Sequence, residues 1–345
     1  MTRKSLILLT IAIMLAPLLF AGCKKGPVEL TTPWPVADKE RRAPRPDDLA
    51  VWPFTGERVA DPDTLSRRPL SIKIENSAAA RPQTGIAAAD VVYETISEGG
   101  ITRFNCIYHS DLPPQVGPVR SARLSDVWVV PQYQALFFFS GASASVTTAI
   151  ANGDLPNLSE DVGITEPYVR SRTKPMPHNL FMEVPKAYST AQTKGYSVTA
   201  EPTALQFEKR AEETTPTITE VSIPFSTSSY VRWVYQDGQY LRFNNDAAHK
   251  DAATGEQVSA DNVVVLWTKH EVAGRDKVGS ETFDINLGGK GRVSVFRNGQ
   301  KYDGTWTGSP SAPPRFTDEE GRPIKLTKGR TWFQVIPLDV NITMK

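Results

Sequence analysis

The chain has 345 residues, and its 39 lysines and arginines almost balance its 38 aspartates and glutamates, which leaves a net charge of +1. This balance excludes a global electrostatic attraction to nucleic acid or to anionic lipid, so any anion site must come from a local cluster of basic side chains. The length suits two folded domains. The 27 prolines and 23 glycines lie between short apolar runs, which is typical of a strand-rich fold with many loops.

The first 23 residues have the pattern of a secretory signal. Arg3 and Lys4 precede an apolar run from Leu6 to Phe20, and the small residues Ala21 and Gly22 lead to Cys23. The run is too short for a transmembrane helix, which needs about 20 apolar residues. A cysteine directly after small residues resembles a bacterial lipoprotein signal, which implies cleavage before Cys23 and attachment of a lipid such as palmitate to its sulfur.

We therefore expect an extracytoplasmic protein, anchored to the bacterial membrane through Cys23. A simple cleaved signal with an incidental cysteine is the alternative. Cleavage before Cys23 takes away Arg3 and Lys4 and brings the net charge to −1.

The cofactor-binding motifs that could be read from sequence are missing. No GxxxxGK[ST] phosphate loop, HExxH motif or paired-cysteine arrangement occurs, so we predict neither a cofactor nor a metal site. With Cys23 lipidated, Cys106 is the one cysteine left, and an intramolecular disulfide is excluded. Cys106 lies in an alternating apolar segment and is interpreted as a small buried hydrophobic residue.

Residues 24–68 are rich in proline and charge and predict a semi-rigid spacer between the membrane and the folded part. The segment Trp52-Pro53-Phe54-Thr55-Gly56 lies near its end. We expect this segment to dock on the folded body, because burial of aromatic side chains is favourable.

The first folded domain is predicted over residues 69–202. Alternation of apolar and polar residues predicts strands at 70–74, 91–94 and 101–108. The continuous apolar run 135–139 predicts a central buried strand. Helices are predicted from Arg120 to Tyr133 and from Ser143, as its N-cap, to Ala151. Because strands and helices alternate, this part is predicted to be a mixed α/β domain.

After a linker at 203–216, residues 217–345 are predicted to form a second domain. Six short apolar runs are separated by turn signals, and the clearest hairpin is Val293–Arg297, Asn298-Gly299 and Gln300–Trp306. These patterns favour mostly antiparallel strands, arranged as a sandwich or an open barrel. The whole chain is therefore predicted to be of the α+β class.

The densest polar stretch runs from Glu94 to Asp126. Guanidinium groups bind phosphate and carboxylate through paired hydrogen bonds. Arg120 and Arg123, three residues apart, would share one face of the predicted helix, near its start at Ser121. We predict a polar pocket for an anionic ligand here, whereas the simpler alternative is a set of structural ion pairs. Its predicted members are Glu94, Glu98, Arg103, Arg120, Ser121, Arg123 and Asp126.

A second candidate stretch follows Arg170. Pro175 and Pro177 stiffen the backbone before His178 and Asn179. Histidine titrates near neutral pH and could act as a general acid or base, although a loop histidine that donates to a backbone carbonyl is the alternative. We add Arg172 and Asn179 to the predicted ligand-binding residues. The predicted catalytic residues are Glu98, Asp126 and His178.

With these segments the chain resembles the YerB-like bacterial lipoproteins, a family with two adjacent domains of unknown function. The likeness is carried by Glu98–Phe104, Gly117–Arg123, Pro177–Leu180, Asp261–Val265, Gly304–Trp306 and Gly329–Trp332. The resemblance implies two folded modules behind a lipid anchor and supplies no reaction.

Three functional hypotheses follow. The first is an envelope protein that binds an anionic group of a wall polymer, a glycan or a lipid-linked precursor. The second is an enzyme of phosphoryl or glycosyl-chain transfer, with Glu94, Glu98 or Asp126 as base or metal ligand, His178 as proton carrier and the arginines stabilising charge. The style of the site, carried by Asp90, Arg103, Arg120, Arg123 and Asp126, is also similar to that of the LytR-CpsA-Psr phosphotransferases, although no motif matches residue for residue. The third hypothesis is a scaffold for a membrane complex, and no nucleic-acid partner is expected.

Overall fold

The computed structural model describes residues 49–209, 214–275, 279 and 281–345. The predicted signal, the lipidation site Cys23 and residues 24–48 of the predicted spacer lie outside the described residues. In the described part, no helix is both long and apolar enough to cross a bilayer.

Strands dominate the structure, and three short α-helices accompany them. The helices are α1 (Asp126–Gln132), α2 (Ala144–Asn152) and α3 (Ala187–Thr193). The strands of the N-terminal half are β1 (Leu70–Glu75), β2 (Val91–Ile96), β3 (Thr102–Tyr108), β4 (Gln115–Val116), β5 (Leu136–Phe138), β6 (Tyr168–Arg170) and β7 (Leu180–Glu183). Short 3-10 turns lie at Pro62–Ser66, Ala78–Ala80, Ile86–Ala88, Glu98–Gly100, Glu160–Val162 and Val184–Lys186.

The C-terminal half is built from strands. They are β8 (Glu220–Pro224), β9 (Tyr230–Gln236), β10 (Gln239–Asn244), β11 (Ala247–Ala248), β12 (Ser259–Ala260), β13 (Asn262–Thr268), β14 (His270–Arg275), β15 (Glu281–Ile285), β16 (Lys290–Arg297), β17 (Gln300–Thr307), β18 (Arg315–Thr317), β19 (Thr331–Pro337) and β20 (Thr343–Met344). Most of their pairings are antiparallel. The predicted α+β class, with a mostly antiparallel C-terminal half, is confirmed.

One sheet of nine strands runs through both halves, in the order β18-β17-β16-β13-β19-β2-β3-β1-β5. The halves join where β19 pairs in parallel with β2, with Thr331 opposite Val91. The C-terminal strands therefore continue the N-terminal sheet instead of closing into a separate sandwich. Six of the other C-terminal strands form a second sheet, β11-β10-β9-β8-β20, with β12 paired to β10, while β14 pairs with β15 alone and β4, β7 and β6 form a small sheet in the N-terminal half. The proposed domain boundaries at 69–202 and 217–345 stay predictions.

Two hydrophobic cores cover the two faces of the large sheet. Successive side chains of a strand point to opposite faces, so Val92 of β2 belongs to one core and Val91 to the other. The first core lies against the six-stranded sheet, through residues such as Trp233 of β9. The second core is closed by α1 and α2, through Val130 and Ile150.

The hairpin of β16 and β17 confirms its sequence signature. Asn298 and Gly299 have φ angles of 51° and 67°, as a two-residue turn between antiparallel strands requires. The predicted helix from Ser143 is also present, and the Ser143 side chain accepts a hydrogen bond from the Val146 N–H as its N-cap.

Two predicted elements differ from the structure. The apolar run 135–139 forms β5 at the edge of the sheet rather than in its centre. It is buried nonetheless, because Leu136 and Phe137 face opposite cores and residue Asn157 bridges its outer edge. The predicted helix from Arg120 begins only at Asp126, since the preceding residues are hydrogen-bonded in an extended form.

The end of the predicted spacer packs on the folded body. Phe54 is fully buried, and its ring centroid lies 4.9 Å from that of Tyr133 and 5.4 Å from that of His109. Trp52 makes an edge contact with His109 at 4.9 Å. The aromatic segment thus docks as its composition indicated.

Candidate functional site

The strand ends β1, β2 and β3 place the first charged side chains of the candidate site. β1 and β2 run in the same direction on either side of β3, so their carboxyl ends meet its start. In this register Glu75 of β1 and Thr95 of β2 both lie opposite Arg103 of β3. Crevices at the carboxyl ends of neighbouring strands are a common place for ligands in layered α/β sheets.

The segment after Gly117 brings a second arginine to the same edge. The Glu75 N–H donates to the Pro118 carbonyl at 3.0 Å, and the Arg120 N–H donates to the Lys73 carbonyl at 2.9 Å. On its other side, the Val119 N–H donates to the Leu180 carbonyl at 2.7 Å. The segment therefore runs as an added strand between β1 and β7. Arg120 and Arg123 do not share a helix face, which corrects the sequence-based expectation.

Glu75, at the end of β1, organises one side of the site. Its carboxylate is 2 % exposed and lies 3.0 Å, through each oxygen, from Nδ1 of His178. It also accepts a hydrogen bond from Ser77 Oγ at 2.8 Å and lies 3.2 Å from Nε of Arg120. Since a carboxylate only accepts, Nδ1 of His178 carries the proton in this contact.

Sequence reasoning missed Glu75. Its signal was the alternation of β1, where Ser71, Lys73 and Glu75 form a polar face opposite three apolar residues. All three polar residues are buried, and buried charges are kept only when they are paired. A polar face on a strand that both neighbours cover is therefore a sign of charge pairing.

Glu98 organises the other side of the site. Its carboxylate accepts hydrogen bonds from Nε of Arg123 at 2.9 Å, from Nη2 of Arg123 and from Ser97 Oγ at 2.6 Å. Arg103 Nη2 lies 4.0 Å away. Burial favours a raised pKa for Glu98, but Arg123 and these hydrogen bonds outweigh it and hold the pKa below its usual value. Glu98 is therefore an ionised partner of Arg123.

Arg103 is a buried cation with incomplete hydrogen bonding. It is 7 % exposed, and its Nη1 donates to the Ser121 carbonyl at 3.3 Å. Its Nε has no hydrogen-bond partner in the described part of the chain. Burial first, and then the positive charge of Arg123, lowers the pKa of Arg103 to about 9. The carboxylates of Glu98 and Glu75 only partly offset the effect of burial on this guanidinium.

We call this group the arginine cluster; it consists of Glu75, Glu98, Arg103, Arg120, Arg123 and His178. Three guanidinium groups face two carboxylates, which leaves one excess positive charge before His178 is counted. Within the residues described, Nη1 and Nη2 of Arg120 and Nε2 of His178 take no hydrogen bond. Their side chains are 24 % and 21 % exposed, whereas Arg103 is nearly covered.

Two predicted members lie outside the arginine cluster in buried pairs. Glu94 accepts two hydrogen bonds from Arg242 Nη2, at 2.8 and 2.7 Å, and neither side chain is exposed. Asp126 accepts hydrogen bonds from Lys73 Nζ at 2.7 Å and Asn105 Nδ2 at 2.9 Å. Both carboxylates are thus neutralised within the fold and closed to solvent.

The remaining predicted residues take supporting positions. Ser121 is close to the arginine cluster, where its carbonyl oxygen accepts from Arg103 and Arg123. Asn179 Oδ1 accepts from Arg170 Nη1 at 3.2 Å, which ties the hairpin of β6 and β7 behind His178. Arg172 is exposed on that hairpin, away from these contacts.

The described residues offer neither a metal site nor a reactive thiol. In the residues that the structure describes, no three His, Cys, Asp or Glu side chains are grouped to hold a metal ion. Cys106 is fully buried in β3, and burial raises the pKa of its thiol well above the usual range. A buried thiol of that kind is unreactive.

Comparison with known families defines the class of protein. Residues 54–197 match "Protein of unknown function (DUF3048) N-terminal domain", and residues 221–333 match the corresponding C-terminal domain. The chain therefore belongs to the DUF3048 family and carries both of its domains.

The chain is also similar to a particular member of that family. It is 27 % identical over 294 residues to the Bacillus subtilis (strain 168) protein named "Putative lipoprotein YerB", covering 83 % of this chain and 86 % of that protein. The crystal structure of YerB from Bacillus subtilis superimposes with a TM-score of 0.77 at 26 % identity, covering 85 % of this chain and 99 % of the crystallised chain.

Proposed function

We propose that this protein is a lipid-anchored, extracytoplasmic envelope protein whose arginine cluster binds an anionic group. The ligand carrying that group is a wall polymer, a glycan or a lipid-linked precursor. Two lines of support favour the anchor: the signal that ends in Cys23 and the similarity to a lipoprotein. A Cys23→Ser variant should lose incorporation of labelled palmitate, and retained label would contradict the anchor.

A single observation carries the binding proposal. Arg120 and His178 lie on two sides of the buried Glu75 carboxylate, and each has nitrogen atoms that no described protein group uses. Glu75 forms an ion pair with Arg120, whose Nε makes no hydrogen bond in the described residues, and it contacts Nδ1 of His178, so both side chains are drawn to one buried carboxylate. The two Nη groups of Arg120 can then donate in parallel to one anion.

His178 would serve the same ligand through Nε2. In its protonated form Nε2 donates to the anion. In its neutral form Nε2 accepts from a hydroxyl, because Glu75 keeps the proton on Nδ1. A phosphate monoester or a sugar phosphate offers both an anionic oxygen and a hydroxyl, and it therefore fits either form.

Arg103 and Arg123 would make the electrostatic potential at the anion site more positive without contacting the ligand directly. Arg123 is already bonded to Glu98 and to the Ala122 carbonyl, at 2.7 Å for the carbonyl. The excess positive charge around Arg103 lies in a poorly solvated place, where charge interactions are stronger than in water. An incoming anion would offset that charge.

Binding is supported better than catalysis. Glu98 and Asp126 were the predicted bases, yet the first is held ionised by Arg123 and the second is 1 % exposed and bonded to Lys73. A general base must be ionised, so the objection to Glu98 is that Arg123 and Ser97 already occupy its carboxylate, whereas Asp126 is closed to solvent. The enzyme hypothesis therefore depends on His178 alone.

The test is sedimentation of the full chain with membrane-free cell-wall fragments in detergent. We expect the protein to sediment and pyrophosphate to reduce the sedimented fraction, whereas pyrophosphate should have no effect on the double variant Arg120→Ala/His178→Ala. Arg58→Ala is a matched control, since Arg58 is exposed and lies outside the cluster. A double variant that pyrophosphate still releases would remove the wall polymer as the ligand of this site.

A further inference from the structure

A cavity of about 600 Å³ lies in the C-terminal half, away from the arginine cluster. It opens between the β16–β17 hairpin and the last residues of the chain, 341–344. Small-molecule sites commonly have volumes of this order, about 300–1,000 Å³. Nothing in the arginine cluster contributes to its walls.

The wall on the hairpin side is one polar strand face. Arg292 of β16 lies opposite Thr305 of β17, and Ser294 lies opposite Asp303. Side chains two residues apart on a strand share a face, so these four residues point to the same side. The intervening Val293 belongs to the hydrophobic core on the other side.

Arg292 is a cation whose N–H donors have no partner among the described residues. Its guanidinium carbon lies 3.9 Å from the ring centroid of Trp267, and the side chain takes no hydrogen bond or ion pair in the described residues. A guanidinium stacked on an indole keeps its N–H donors in the outer plane. Trp267 is itself fixed, because its Nε1 donates to the Val340 carbonyl at 2.8 Å.

Acceptors balance these donors. Asp303 accepts hydrogen bonds from Ser294 Oγ at 2.5 Å and lies 2.8 Å from Lys301 Nζ, and Glu319 adds a second carboxylate to the wall. Two cations and two anions therefore line the cavity, and their charges cancel. An ion gains little from such a lining, whereas a neutral group that both donates and accepts can pair with all of it.

We propose that this cavity binds a neutral saccharide. Sugar hydroxyl groups donate and accept at once, which matches the mixed lining around Arg292 and Asp303. Ile342 and Met344 border the same cavity, and they offer an apolar surface for the C–H face of a pyranose ring. The site is separate from the arginine cluster and would let one protein hold a glycan and an anionic group together.

Calorimetric titration of the full chain in detergent tests this site, with triacetylchitotriose and maltotriose as probes. We expect at least one trisaccharide to bind and Arg292→Ala to weaken that binding by about tenfold or more. Arg315→Ala is the control, because Arg315 is exposed on the neighbouring β18 and does not line the cavity. A second variant, Thr305→Trp, fills the cavity from its rim and should abolish binding.

Two results would overturn the proposal: no heat from either trisaccharide together with no retention on purified wall glycan, or binding that Arg292→Ala and Thr305→Trp leave intact. Retention on glycan without trisaccharide binding, lost in both variants, would support a polymer rather than a free sugar. The Arg120→Ala variant should keep its saccharide binding, so failure of the arginine cluster is recognised separately.

Discussion

His178 Nδ1 lies 3.0 Å from both carboxylate oxygens of Glu75, a residue that is 2 % exposed. The pair joins the β6–β7 hairpin to the end of β1. Because a buried carboxylate only accepts, it selects the tautomer of the ring and leaves Nε2 free.

The first prediction concerns that tautomer. Neutral His178 should carry its proton on Nδ1, which is the less common form of a free imidazole, and long-range ¹⁵N–¹H NMR correlations should show it. In Glu75→Gln the amide can either donate or accept, so the preference should weaken. A wild-type spectrum with the proton on Nε2 would contradict the proposed geometry.

A second prediction concerns the buried pair of Glu94 and Arg242. Arg242 also lies 4.8 Å from the ring centroid of Trp332 and is wholly buried. Burial lowers the pKa of Arg242, against the pull of Glu94. Glu94→Gln would leave an uncompensated buried guanidinium, and we expect a loss of about 3–5 kcal/mol in the free energy of unfolding, measured by urea titration.

The matched control for that pair is Glu281→Gln. Glu281 pairs with Arg275 at 2.7 Å on an exposed hairpin, where salt bridges contribute little. The urea midpoint should not move. If Glu94→Gln behaves like this control, the ion pair does not hold the two halves together.

A third prediction concerns the docked aromatic segment. Phe54→Ala should reduce the free energy of unfolding by about 3–5 kcal/mol, because a fully buried ring is replaced by a cavity. Val51→Ala, at a side chain that is 44 % exposed, should change it by less than about 0.5 kcal/mol. Equal effects would mean that Phe54 does not belong to the core.

The fourth prediction is that the free energy of unfolding falls at acid pH because of His109. Burial lowers the pKa of His109 to about 4, and the carbonyl of the same residue accepts from Arg67 Nη2 at 2.5 Å. Between pH 6.5 and 4 the unfolded state binds a proton at this histidine and the folded state does not. The free energy of unfolding is therefore highest above pH 6.5 and falls as the pH is lowered to 4. The loss should amount to about 3 kcal/mol.

His109→Phe keeps the ring contacts with Trp52 and Phe54 and removes the titration. Its unfolding free energy should therefore fall less than that of the wild type between pH 6.5 and 4. Asp90 titrates in the same range with the opposite sign, because burial raises its pKa to about 6 despite hydrogen bonds from Ser110 and His109. Identical pH profiles for variant and wild type would contradict the role of His109.

Local sequence patterns predicted most strands and turns, but not their partners. The alternation of β1 and β3 and the Asn298-Gly299 turn are local signals. The parallel pairing of β19 with β2 joins distant parts of the chain. No local pattern encodes that contact, and so the continuity of the large sheet was missed.

The start of α1 shows why local propensity failed. Residues from Arg120 onward can form a helix, but the Arg120 N–H donates to Lys73 and the Ala122 N–H donates to Gly141 at 2.9 Å. Hydrogen bonds to two neighbouring strands outweigh the small differences in helix propensity. The helix therefore starts where those bonds end.

The candidate site was predictable in composition and only partly in arrangement. Glu98, Arg103 and Arg123 lie together, as their density in the sequence indicated. Glu94 was wrongly grouped with them. Its true partner, Arg242, lies in the other half of the chain, where no local pattern connects the two. The functional roles of all these residues stay predictions.

The most direct test of the anion site is a calorimetric titration of the full chain with inorganic pyrophosphate. We predict measurable binding to the wild type and to Arg58→Ala, about tenfold or more weaker binding for Arg120→Ala, and none for Arg120→Ala/His178→Ala. Binding that survives in the double variant, or no binding to the wild type, would contradict the claim that Arg120 and His178 hold an anion beside Glu75.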